Sequence, residues 1–174
     1  RHAMQRHNLY ADLKVSALGR GCMGMSEFYG SSDDEQSLKV LARAVELGVD
    51  FFDTADVYGP LHNEELLGRF LRQSGAPVKI ATKFGITDAQ WNLDSRPETI
   101  RRSVHDRLAN LGIATIDLPY QHPYDPEVPI EDVVGELPRF VDAGPVRYLG
   151  LSNSHGPVIR RPAQPAPDPS HQMD

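Results

Sequence analysis

The chain has one cysteine, Cys22, and one tryptophan, Trp91, in 174 residues. A single thiol cannot build an internal disulfide framework and fits a reducing compartment, so a cytoplasmic location is expected. Long apolar runs are missing too. No stretch approaches the ~18 residues of a membrane-crossing helix, and the opening segment RHAMQRHNLYADL lacks the apolar centre of a signal peptide. Positive charge is in deficit: 18 Lys and Arg face 24 Asp and Glu, for a formal charge of −6. That balance argues against nucleic acid or an anionic membrane as the main partner. No metal site is expected. Proline is in excess, 14 residues or about 8 % against a usual ~5 %. Pro157, Pro162, Pro165, Pro167 and Pro169 crowd the C-terminal segment.

What is present is an alternation of short apolar runs and helical periodicities. Val15–Met25 predicts a first strand running into glycines. Ser32 with Glu35 has the form of a capping box, and Leu38, Leu41, Ala42 and Val45 recur at helical spacing before Gly48. VDFF, from Val49 to Phe52, predicts a second strand that ends in Asp53. Asn63 can cap a helix carrying Leu66, Leu67, Phe70 and Leu71. Val78–Phe84 is a third strand. Pro97 stands at the first position of a helix with Ile100, Val104, Leu108 and Leu111 on one face, closed by Gly112. Ile116–His122 is a fourth strand, a helix runs from Pro129 to Ala143, and Val146–Ser152 is a fifth strand. Strands alternating with helices over short connections call for a parallel α/β sheet.

The ionisable groups fall at one end of these strands. Asp53 ends the second strand and Tyr58 follows five residues on; Lys83 lies near the end of the third and His122 ends the fourth. Each alone is an ordinary turn or strand-end residue. Phe51 and Asp53 share a face by strand parity, as do Ala81 and Lys83, and Leu118, Tyr120 and His122. If those faces line a barrel, the groups converge at the mouth formed by the C-terminal strand ends, where parallel α/β folds place their chemistry. Asp, Tyr, Lys and His there predict proton transfer.

Gly19, Gly21 and Gly24 match G-x-G-x-x-G, but that phosphate-binding turn needs a helix opening on the glycines, and here a loop follows them. A strand-end turn is expected instead.

Five segments, GCMGMSEFYG, FFDTADVYG, ATKFG, DLPYQHPYDPEVPIED and VRYLGLSN, together resemble the aldo-keto reductases, from about Leu13 to Asn153. The resemblance implies a (β/α)8 fold of the TIM-barrel family that reduces aldehydes and ketones with NADPH. It implies a catalytic tetrad of Asp53, Tyr58, Lys83 and His122, with Tyr58 as proton donor, Lys83 beside it, Asp53 holding Lys83 charged, and His122 orienting the carbonyl. It implies cofactor contacts at Gly21, Cys22, Met23, Asp53, Ser152 and Asn153. Some relatives serve as cytoplasmic β subunits of potassium channels, so a non-catalytic regulatory module, or an inactive fragment, is the alternative.

A TIM barrel takes ~250 residues and eight strands. Five strands and four helices are expected here, a partial barrel over 15–153. Residues 1–14 form a lead-in, with Met4 a candidate start, and the proline-rich segment 154–174 is expected to be disordered. Pro119 inside a strand, Pro138 inside a helix, Pro145 in place of a basic residue and Arg20 in place of an apolar one depart from the family pattern. They predict a truncated or frame-shifted relative of weak or no activity. Self-association through exposed sheet edges is a further expectation.

Overall fold

The computed structural model describes residues 3–10, 12–26, 33–59, 61–87, 92–122 and 125–152. The strand predicted over Val15–Met25 is broken in two, and a further strand forms in the expected lead-in. That further strand is β1 (Arg6–Asn8); the start of the predicted one lies in β2 (Lys14–Ser16) and its middle in β3 (Arg20–Gly21). Strands β1 and β2 form an antiparallel hairpin, and only β3 joins the main sheet. A 3-10 turn over Met23–Met25 follows the glycines, and the first α-helix begins only at Asp34. The glycines therefore open no phosphate-binding helix.

The sheet then runs β3, β4 (Phe51–Asp53), β5 (Lys79–Phe84), β6 (Leu118–Gln121) and β7 (Gly150–Leu151), five parallel strands in chain order. Helices α1 (Asp34–Glu46), α2 (His62–Ser74) and α3 (Pro97–Leu111) connect the first four. This is a run of parallel βα units of the kind that winds a TIM barrel. The described residues hold five α-helices rather than four, because Pro138 divides the last one. Helix α4 (Ile130–Glu136) stops at Leu137, and α5 (Pro138–Ala143) starts with the proline in its first turn. A proline costs ~3 kcal/mol inside a helix but little where its missing N–H is unpaired anyway.

Two caps differ from the expected ones. Asp33 caps α1, its carboxylate accepting from the Glu35 and Gln36 N–H groups; Ser32 lies outside the described residues. Asn63 lies within α2, its side chain buried, and the residue before that helix, Leu61, takes a left-handed φ of 67°. Pro97 and Gly112 do open and close α3 as predicted.

Pro119 is accommodated at a gap in pairing. The carbonyls of Asp117 and Gln121 accept from Tyr148 and Ser152 N–H, each at 2.9 Å, so the nitrogen of residue 119 faces the same side. There the β6–β7 pairing lapses between the Ile116–Val146 bridge and the Tyr120–Gly150 pair. The missing donor falls where no ladder bond is made.

One layer of core lies between the sheet and α1 and α2, around Leu41, Phe52, Leu67 and Ile80. A second lies under α3, α4 and α5, around Phe84, Ile100, Val133 and Leu137. Gly68 lets α2 approach α3: a Cβ there would stand 2.6 Å from the Leu111 carbonyl oxygen. At the N-terminal end of the strands the hairpin forms a brace. Asp50 binds Arg6 (2.6 Å), the Ser16 N–H (2.7 Å) and Lys79 (3.0 Å). Across the sheet, Tyr10 stacks on Tyr148 at 4.8 Å and donates to the Leu149 carbonyl at 2.5 Å. The opposite, C-terminal end of the strands is left for the site.

Candidate active site

Strand parity delivers Asp53 and Lys83 to the same face, and they form an ion pair. The Lys83 ammonium also donates to the Thr54 carbonyl at 3.0 Å and lies 5.1 Å from the centroid of the Tyr58 ring. Lys83 is 12 % exposed and Asp53 34 %, so the pair is screened from water on the lysine side. Tyr58 is buried, on the turn between β4 and α2. The next residue, Gly59, has φ +56°, and a Cβ on it would come within 2.8 Å of Ser26. The turn that presents Tyr58 therefore requires glycine.

His122 follows β6 directly, its N–H bonded to the Phe84 carbonyl at 2.8 Å. Burial lowers its pKa, the nearby Lys83 ammonium lowers it further, and Asp53 opposes both. The imidazole is accordingly neutral at pH 7, with one nitrogen free to donate and the other to accept. Its Nδ1 is buried and has no partner among the described residues. Asp53, Tyr58 and Lys83 are thus in direct contact or nearly so, and His122 stands within their electrostatic reach. A neutral imidazole, an ammonium and a phenol around one strand end can hand a proton to an oxygen and hold it.

The residues expected at a cofactor divide. Gly21 pairs in register with Asp53, and an open cavity of about 410 Å³ is lined by Arg20, Gly21, Met23 and Gly24. Cys22 presents no free polar group. Its N–H donates to the Asp53 carbonyl (2.8 Å), its carbonyl accepts from Asn63 (2.8 Å), and its thiol is fully buried. That burial pushes the thiol up to about 12. Ser152 N–H pairs with the Gln121 carbonyl beside His122, and Asn153 lies outside the described residues.

Sequence reasoning missed the polar groups behind these. Asn63 is fully buried and joins Thr54 Oγ1 (2.6 Å), the Cys22 carbonyl and Ser26 Oγ (2.8 Å), so it ties the ends of β3 and β4 together. Arg107 is buried as well, although it stands among Ile100, Val104 and Leu111 at helical spacing. A charge inside an apolar stripe was the signal available for it.

An arc of parallel βα units with ionisable side chains gathered at the C-terminal strand ends is the architecture of part of a TIM barrel. A profile of the Aldo/keto reductase family matches residues 17–162. The chain is 40 % identical over 166 residues to the NADP(+) aldo-keto reductase yakc of Schizosaccharomyces pombe, covering 92 % of this chain and 49 % of that protein. It is 43 % identical over 153 residues to probable aldo-keto reductase 1 of Glycine max, covering 85 % of this chain and 44 % of that one. An aldo-keto reductase from Bacillus halodurans, solved in its holo form, superposes with a TM-score of 0.81 at 30 % identity, over 90 % of this chain and 53 % of its own. The chain belongs to the aldo/keto reductase family, a family of oxidoreductases. It spans about half the length of the curated relatives it matches. None of its described helices is long and apolar enough to cross a membrane.

Proposed function

We propose that this chain carries the acid–base half of an NADP-dependent reduction of aldehyde or ketone carbonyls, with Tyr58 as the proton donor. The observation that carries the reading is the Asp53–Lys83 ion pair set beside the Tyr58 ring. Two features fit a nicotinamide cofactor: the open cavity at Gly21 and Met23 next to Asp53, and the buried His122 nitrogen that lacks a partner among the described residues. Gly21, Met23, Asp53 and Ser152 would hold it, with Cys22 as the packed backbone link and Asn153 after Ser152. When bound, such a cofactor supplies the hydride.

The chain's own residues then manage the proton. The carbonyl oxygen gains negative charge as its carbon is reduced, and the Tyr58 hydroxyl gives it a proton. The Lys83 ammonium stabilises the phenolate left behind, because a positive charge beside a phenol favours its ionised form. Asp53 and the Thr54 carbonyl hold that ammonium in place beside the Tyr58 ring. Neutral His122 donates a hydrogen bond that orients the carbonyl.

A positioned general acid contributes roughly 10²–10⁴ in rate. Tyr58→Phe is therefore expected to lower NADPH consumption with a test aldehyde by at least about 10², with the circular dichroism spectrum unchanged. Turnover retained within a few-fold in that variant would refute the assignment.

A further inference from the structure

Behind the acid–base cluster lies a second charged group that the reaction itself does not use. Arg107 of α3 sends Nη1 to Asp56 Oδ2 at 2.6 Å and to Ser103 Oγ at 3.1 Å. Its Nε lies 2.8 Å from Glu64 Oε2, an ion pair rather than an aligned hydrogen bond. Glu64, fully buried in α2, also accepts from Thr82 Oγ1 (2.8 Å) and Asn110 Nδ2 (3.1 Å). The two ends of this network adjoin the two residues that matter most. Asp56 lies two positions before Tyr58, and Thr82 immediately precedes Lys83.

Asp56 also fixes the turn itself. Its carboxylate accepts from the Val57 N–H at 2.8 Å and its carbonyl from the Leu61 N–H at 3.0 Å. Burial raises the carboxyls of Asp56 and Glu64, and Arg107 pulls both back. Without the guanidinium, two buried carboxylates would face each other with no cation between them, and the turn would lose its anchor to α3. Arg102 and Asp106 line the adjoining cavity and complete the charges around it.

We propose that Arg107 is a positioning residue: by bridging Asp56 and Glu64 it sets the Tyr58 turn against the strand that carries Lys83. The proposal rests on the reading of Tyr58 as the acid, but its test does not depend on turnover. The contact between the Lys83 side chain and the Tyr58 ring is measured as nuclear Overhauser cross-peaks in the full chain, the Tyr58 signals being assigned with Tyr58→Phe. Arg107→Met is expected to weaken these cross-peaks at least about fivefold while those between Phe52 and Phe70 in the core persist. Arg107→Lys, which keeps the charge without the fork, should recover part of them. Asp56→Asn keeps the shape and cuts only the arm to the turn; it should weaken the same cross-peaks, and it serves where Arg107→Met does not fold. Lys83–Tyr58 cross-peaks of native intensity in folded Arg107→Met, or in Asp56→Asn, would overturn the proposal. Loss of turnover in Tyr58→Phe is a separate result, so the two readings fail independently.

Discussion

At the scale of the residue, the site turns on which groups keep their charge when water is excluded. Lys83 is held by Asp53, but His122 has burial and a neighbouring cation both working against its protonated form. The imidazole is expected to titrate below its ordinary value of 6.5, read by NMR of its ring carbons. Lys83→Met removes the repelling cation and should move the midpoint upward; a midpoint at or above 6.5 in the native chain would contradict the argument. A histidine whose folded pKa lies below its unfolded one destabilises the fold as pH drops through the unfolded value, and the loss saturates below the folded one. Strand parity made Asp53 and Lys83 legible in the sequence, each announced by the end of an apolar run, and Tyr58 by its place five residues after Asp53. Their supports were not. Asn63 looks like a helix cap and Glu64 like surface charge until the elements are folded together, and Arg107 is marked only by its place in the apolar stripe of α3.

Element boundaries were legible wherever proline and glycine decide them, as at Pro97 and Gly112. They were obscured where pairing decides them. Residues 6–8 and 14–16 carry little apolar alternation of their own, and their strand state comes from pairing with each other and from Asp50. That carboxyl ties the stability of the hairpin to pH. Burial would raise it, but hydrogen bonds from Arg6, the Ser16 N–H and Lys79 outweigh burial and hold it at about 2 against an ordinary 3.8. A depressed carboxyl stabilises the fold above its unfolded pKa and loses that contribution as pH falls through the folded one. The difference corresponds to about 2 kcal/mol, which joins the hairpin to the bases of β4 and β5. Asp50→Asn should lose about this much at neutral pH in urea unfolding. The native chain should then approach the variant as pH falls from 3.8 toward about 2. Parallel acid curves for the two proteins would rule the argument out.

At the scale of the whole molecule, the sheet is an arc whose ends differ. Among the described residues β3 and β7 each have a strand on one side only. Rows of N–H and C=O groups left on such edges are templates for another strand. At β7 the described residues show which groups face β6 and which face away from it. Ser152 donates inward to Gln121, and Gly150 pairs with Tyr120 at a point where a Cβ would strike that ring at 2.3 Å. By alternation the Leu151 N–H points away from β6. Among the described residues no strand covers that side of β7, and Gly150 must stay small to admit Tyr120. We expect the chain to associate through these edges as its concentration rises, seen as a concentration-dependent mass in sedimentation equilibrium. Leu151→Pro removes the outward donor and leaves the inward bonds, a substitution that edge strands tolerate. It should shift association to at least about tenfold higher concentration, a difference of ~1.4 kcal/mol. A native chain that stays monomeric throughout, or a proline variant that associates just as readily, would mean that the arc's edges are covered in some other way.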